Sequence, residues 1–220
     1  MPTNPQHNAS FLNTTFSFDE EWMKHVSLFL EGCYLAKKPL NETERSFLQD
    51  KIKMIVNYRL SINSKRQEEI FFPKSVEGSV LETNNRLCWA MGDLPIAFLL
   101  LKVSIILQNK ELEKLSNVIG LFTLMRKQEE QTLITSSEFR LGTSGIALLY
   151  QSFYKITHIE KYQKGADYWR KQTDLFLEKE LNNGFYRQNN EQYVELLEAL
   201  EEYETQINGI WRRERIINFW

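Results

Sequence analysis

Two stretches decide the fold: Gly92-Asp93-Leu94-Pro95-Ile96-Ala97-Phe98-Leu99 and Gly142-Thr143-Ser144-Gly145-Ile146-Ala147-Leu148-Leu149. They lie 50 residues apart, and a glycine, an isoleucine, an alanine and a leucine coincide. A helix pair with its connections occupies roughly 35–50 residues, so this period predicts a stack of helix pairs. Glycine ahead of each helix lets the chain turn sharply and lets backbones approach closely. Ile-Ala-x-Leu then faces the neighbouring pair. A third, degenerate copy reads Val194-Glu195-Leu196-Leu197-Glu198-Ala199-Leu200 and lacks the glycine. Generic helix packing accounts for the same pattern without a family. A phosphate-binding loop at 142–145 does not, because the G-x-x-x-x-G-K-[ST] spacing and a preceding strand are both missing.

Working outward, apolar residues at helical spacing predict further helices. A first covers 19–36, with Trp22, Val26, Phe29, Leu30 and Cys33 on one face, and Pro39 ends it. A second opens at Asn41, which pairs with Glu44 in a cap-like start, and buries Phe47, Leu48, Ile52, Ile55, Val56 and Leu60. Residues 61–85 read as loop. A third helix runs from 92–93 to about 108, with Pro95 tolerated in its first turn. A fourth covers 111–127, and a polar linker follows over 128–138. A fifth runs from 142–144 to 157. A sixth covers 159–181, with Tyr162, Ala166, Trp169, Thr173 and Phe176 on one side, and Asn182-Asn183-Gly184 stops it. The last covers 193–207. No stretch reads as a strand; Phe71-Phe72 and Phe185-Tyr186 are too short. The fold class is all-α: a flexible, polar N-terminal arm over 1–17, then one helical-repeat domain over 18–220.

Bulk properties agree with that reading and narrow the function. A chain of 220 residues supports one large domain, and 42% hydrophobic with 25% charged residues is ordinary globular composition. A net charge of −2 gives no electrostatic footprint for nucleic acid or an anionic membrane. The two cysteines, Cys33 and Cys88, exclude a disulfide framework and suit a reducing compartment. Residues 1–8 are polar with no apolar core, so no signal peptide is expected. The apolar runs 96–101 and 103–107 are interrupted by Lys102 and Ser104, so no membrane insertion is expected. A cytoplasmic location follows as an expectation. The N-x-[ST] triplets at Asn8, Asn13 and Asn41 carry no meaning without secretion.

With their flanks, the two copies read Arg86-Leu87-Cys88-Trp89-Ala90-Met91-Gly92-Asp93-Leu94-Pro95-Ile96-Ala97 and Arg140-Leu141-Gly142-Thr143-Ser144-Gly145-Ile146-Ala147. Tyr154-Lys155-Ile156-Thr157 and Gly165-Ala166-Asp167-Tyr168-Trp169 follow. Together, over about 86–176, they resemble the C-terminal half of the lanthionine synthetase C-like (LanC-like) family. There the segments read close to R-x-x-W-C-Y-G-D-x-G-I-A and C-H-G-T-x-G-I-A. The resemblance implies an α/α toroid, with inner helices lining a central cavity. Family members are much longer, so it implies an incomplete ring here. In the cyclases a zinc ion in the cavity holds a peptide cysteine as thiolate, which adds to dehydroalanine or dehydrobutyrine in the same peptide. Two cysteines and a histidine bind the zinc. At those positions this chain has Ala90, Arg140 and Leu141, none of them a usual zinc ligand, so the resemblance implies a site without zinc. Nor does a relocated site suggest itself. Cys88 lies two residues before Ala90 and points elsewhere, and Cys33, His7, His25 and His158 are scattered without C-x-x-C or H-x-x-x-H pairing. Both cysteines are expected to be small buried apolar residues.

Residues for a site carry over singly. Arg86 stands where the family has an arginine near the metal, and Trp89, Gly92 and Asp93 are kept. Trp89, Asp93 and Arg140 are expected to line the cavity. Asp93 is either catalytic or a helix N-terminal carboxylate favoured by the dipole. Arg140 either steadies a substrate thiolate or carboxylate, or is a solvated arginine in a decayed site. His25 lies roughly where the family has an A-H-G histidine proposed as acid/base. Its near-neutral pKa suits proton transfer to the enolate formed on thiol addition, whereas a lone histidine on a helix is more often structural. The Arg-rich, aromatic end, 211–220, is expected to pack back on the domain as the family's tail does.

Three functions fit. The first is a zinc-less LanC-like protein of lanthipeptide biosynthesis that binds a peptide or a partner such as the dehydratase. The second is a working cyclase acting through Arg86, Arg140 and His25, since orientation alone promotes thiol addition, or with a partner chain supplying ligands. The third is a helical-repeat interaction scaffold. An incomplete ring exposes apolar flanks, which predicts self-association or a docking partner.

Overall fold

The computed structural model describes residues 16–17, 40–63, 71–72, 75–77, 80–82, 86–184, 194 and 197. Within these lie helices α1 (Glu42–Asn63), α2 (Asp93–Leu107), α3 (Lys110–Thr123), α4 (Glu129–Thr132), α5 (Thr143–Thr157) and α6 (Glu160–Asn182). Three short strands, β1 (Phe16–Ser17), β2 (Ser75–Glu77) and β3 (Val80–Glu82), form an antiparallel ladder in that order. The predicted helix over 19–36 lies outside the described residues. So does the one over 193–207, apart from Val194 and Leu197, which are helical.

The repeat is carried by two helical hairpins, α2–α3 and α5–α6. Helices α2 and α5 both have 15 residues and begin and end 50 residues apart. Both close on a left-handed residue, Gln108 (φ 54°) and His158 (φ 55°), again 50 apart. Such an ending reverses the chain within two residues, because it lets the cap N–H return to a carbonyl of the last turn. The Gln108 N–H donates to Ile105 O at 3.3 Å and the His158 N–H to Tyr154 O at 2.7 Å. Helices α3 and α6 then start at 110 and 160, in the same register. Loops this short make the two helices of each hairpin antiparallel neighbours.

Composition explains the layering. Helix α2 is apolar around its whole circumference and is buried from Asp93 through Leu101, as an interior helix must be. Helix α5 is buried from Thr143 through Phe153. Helices α3 and α6 bury one stripe each and turn a charged face outward; on α6 the stripe is Tyr162, Ala166, Trp169 and Thr173, as the spacing predicts. The Ser116 hydroxyl donates to Ala97 O at 2.7 Å and pins α3 onto α2. Stacked rings of Phe153 and Tyr162, with centroids 4.6 Å apart, join α5 to α6. The two hairpins meet through Phe98 and Phe153, edge to face at 5.3 Å, and through the Tyr150 hydroxyl, which donates to Thr123 Oγ1 at 2.9 Å.

Local signals place the remaining elements. At the start of α1 the Asn41 N–H donates to Glu44 Oε2 and the Glu44 N–H to Asn41 Oδ1, both at 2.9 Å, the reciprocal cap read in the sequence. Three readings need correction. Helix α3 stops at Thr123, not near 127, because the following turn carries Arg126 inward to Asp93. The linker over 128–138 contains α4, whose first turn is closed by the Gln128 N–H donating to Gln131 Oε1. The stretch 61–85, read as loop, contains the β2–β3 pair, with Val76 opposite Leu81 and Phe16 opposite Val76. Strands of three residues are too short to show an alternation.

Candidate functional site

The loops before α2 and α5, residues 86–92 and 136–142, hold every described candidate except Asp93, which follows directly. Repeat-equivalent residues meet there. The Ala90 N–H donates to Arg140 O at 3.1 Å, and these positions are 50 residues apart. So are Trp89 and Phe139, whose rings pack at 4.6 Å between centroids. Each loop thus lies against its own copy. Glycine makes that approach possible. A Cβ on Gly145 would strike the Phe139 carbonyl oxygen and come within 2.7 Å of Trp89 Cβ. Gly92 has φ +95°, and a Cβ there would lie 2.7 Å from Arg86 O.

Two amides at the start of α5 are already used. The Thr143 N–H donates to Ser136 O at 3.1 Å and the Ser144 N–H to Ser137 O at 3.4 Å. That removes two of the donors an anion-binding loop would offer. The loop is held from outside by Glu180 near the end of α6, whose carboxylate accepts from the Ser137 N–H at 2.8 Å and from the Ser137 hydroxyl. The Thr173 hydroxyl, 2.9 Å from Thr143 Oγ1, adds a second tie to α6. On the other loop, the Leu87 N–H donates to Thr132 O at 2.9 Å, anchoring it to α4.

Asp93 is buried and serves as an internal hub. Its carboxylate is paired with Arg126, also buried, and accepts from the Phe72 N–H at 2.9 Å and the Phe71 N–H at 3.2 Å. Burial pushes this carboxyl up from its ordinary value, while Arg126 and the two amides pull it back. The hub ties residues 71–72 to the first turn of α2, and Phe71 adds an edge-to-face contact with Phe122 of α3 at 5.2 Å. Asp93 stands in the first turn of α2, as the reading of a helix N-terminal carboxylate has it, and the carboxylate acts in addition as a tertiary tie. Arg126 and Glu180 carry no sequence motif. They lie 33 and 43 residues from their partners, and only the packed fold pairs them.

The other expected residues divide as follows. Trp89 and Ala90 are buried, Arg86 and Leu141 are half-buried, and Arg140 is exposed. His25 and Cys33 lie outside the described residues. Cys88 is buried, as expected for a small apolar residue, and its thiol donates to Met91 O at 3.3 Å. Burial pushes that thiol up to about 11, which keeps it protonated and unreactive near neutrality.

The zinc-ligand positions of the resemblance are adjacent, but their side chains do not fit the ion. A methyl group, a guanidinium and an isobutyl group offer it no lone pair. Among the described residues no three His, Cys, Asp or Glu side chains gather, and no helix is long and apolar enough to cross a membrane. No family model, curated protein or solved structure matches the chain.

Proposed function

We propose that the chain is a LanC-like protein of lanthipeptide biosynthesis that works without zinc, binding a peptide or a biosynthetic partner in the cytoplasm. One observation carries the reading. Ala90 and Arg140, which stand where the family has its two zinc-binding cysteines, are joined backbone to backbone at 3.1 Å. Ligands of one ion must come from loops that touch, and no sequence motif by itself requires these two loops to do so. The burial of α2 and of the first eleven residues of α5 beside amphipathic α3 and α6 supports an α/α toroid segment, with the paired loops at one end of the inner layer. With Ala90, Arg140 and Leu141 in place, thiolate formation on a metal is lost and recognition remains.

Restoring the ligands tests the reading. The triple variant Ala90→Cys, Arg140→Cys, Leu141→His is expected to bind zinc stoichiometrically, and the unaltered chain to carry none by elemental analysis. A folded triple variant that takes up no zinc would mean that the loops lack the family's geometry. Stoichiometric zinc in the unaltered chain would overturn the zinc-free part and bring back the cyclase.

A further inference from the structure

One asparagine stands in a position to modify itself. Of the asparagines among the described residues, only Asn183 precedes a glycine. It caps the C-terminal end of α6 and is exposed, with φ −86° and ψ 0°, and Gly184 follows at φ 69°. Asn41 and Asn109 engage their side-chain oxygens in helix caps, and Asn117 Oδ1 accepts from the Tyr162 hydroxyl. Among the described residues nothing holds the side chain of Asn183. We propose that Asn183–Gly184 is a site of spontaneous isoaspartate formation, and that the change loosens the hold of α6 on the loop over 136–142.

The chemistry needs only water. The Gly184 backbone nitrogen attacks Asn183 Cγ, its proton leaves with the side-chain amide group as ammonia, and a five-membered imide forms. Water then opens the ring at Cγ, which gives aspartate, or at the main-chain carbonyl, which routes the chain through Cβ and Cγ as isoaspartate. Glycine favours the attack because no Cβ crowds the nitrogen. The structure restrains it. The Gly184 N–H donates to Leu181 O and the Asn183 N–H to Lys179 O, both at 3.1 Å. With ψ at 0° the attacking nitrogen lies on the side of the Asn183 nitrogen, and ring closure needs a turn of about 120° to bring it beside Cβ. The reaction therefore runs when the last turn of α6 frays, which an exposed helix end does readily. Either product puts a carboxylate at the negative end of the helix dipole. Glu178 and Glu180 oppose it, and Lys179, the one base in that turn, precedes it in the weaker order for an ion pair. Isoaspartate also lengthens the main chain by one atom, which shifts the Gly184 N–H away from Leu181 O. Glu180, three residues before Asn183, is the side chain that accepts from the Ser137 N–H and hydroxyl, so a loosened last turn acts directly on that loop. The inference holds whether or not the chain is LanC-like.

Incubating the full chain at mildly alkaline pH, followed by tryptic digestion and mass spectrometry, is the test. Cleavage after Lys179 and Arg187 separates this site from the other Asn-Gly pair, Asn208–Gly209. The 180–187 peptide is expected to gain about 1 Da as its amide becomes an acid, with isoaspartate the main product. The rate should be about tenfold below that of the urea-unfolded chain, the factor for one hydrogen bond that must open first. Asn183→Gln should abolish the gain, since its longer side chain cannot close the five-membered ring. In the aged fraction the Ser137 amide should exchange its hydrogen several-fold faster than in the fresh chain. A 180–187 peptide that stays unchanged in the folded chain while the unfolded chain reacts overturns the site. Equal rates in the folded and unfolded chains overturn the restraint by α6, and unaltered Ser137 exchange in the aged chain overturns the link to the loop.

Discussion

Replacing Asp93 by alanine should be among the most damaging single changes in the described residues. The change removes the buried carboxylate that pairs with Arg126 and that accepts from the Phe71 and Phe72 amides. Opening a buried ion pair from one side costs about 3–5 kcal/mol. Each orphaned amide is worth about 1–3 kcal/mol. These contributions share one network and do not add, so about 3–5 kcal/mol is the expected total, with the amides pressing it to the upper end. Against a typical domain stability of about 5–15 kcal/mol this is a large fraction. For a chain of this size it corresponds to a fall in melting temperature of roughly 6–20 °C. Urea unfolding followed by far-UV circular dichroism measures it. The double variant Asp93→Leu/Arg126→Leu removes both charges and should recover part of the loss, because no uncompensated charge remains buried. An Asp93→Ala chain within about 1 kcal/mol of the unaltered one would refute the hub, since that is the scale of an ordinary surface change. A double variant no better than the single would refute the ion pair as its cause.

Gly145→Ala should destabilise by about 1–3 kcal/mol despite alanine's higher helix propensity, because the new methyl group meets the Phe139 carbonyl and Trp89 Cβ. A rise in the urea midpoint would contradict the close approach of the two loops. Cys88 makes stability sensitive to alkali. Its thiol is held up to about 11 in the folded chain against an ordinary value of 9.0, so between those values the unfolded chain has lost the proton and the folded chain has kept it. Fewer protons on the unfolded side means that stability falls as pH rises, by about 3 kcal/mol across that window. The loss should be smaller in Cys88→Ala, read from urea midpoints at stepped pH. Rapid iodoacetamide labelling of Cys88 in the folded chain at pH 8 would show that the thiol is not shielded.

The sequence disclosed what is periodic. The start of α2 and of α5 was legible because glycine, isoleucine, alanine and leucine recur at one spacing, and the cap at Asn41 because its two partners lie three residues apart. What stayed hidden is pairwise and distant. Nothing in the residues around Arg126 marks it as the partner of Asp93, and within the predicted fourth helix it reads as a surface arginine. Glu180 likewise reads as one of several acids on a solvated face, until the fold sets it beside Ser137. The ladder of β2 and β3 escaped because three residues cannot display a period. For the two loops, the sequence named the residues singly. Only the fold brought Ala90 and Arg140 together and set Asp93 beside Arg126.

The matching lengths of α2 and α5 bear on how such a chain changes over time. Between the two copies most side chains differ, yet the inner helix has the same number of residues and the same left-handed ending in both. The outer helices share a starting point only: α3 has 14 residues and α6 has 23. Substitution was therefore tolerated throughout the unit, whereas insertion was tolerated only on the outside and after the turn. One residue added to an inner helix would rotate everything beyond it by about 100°, carrying the next loop away from its twin. One residue added to the far end of an outer helix merely lengthens an exposed rod. The inner layer acts as a ruler, and new sequence, with whatever new binding it brings, has room to accumulate at the ends of the outer helices.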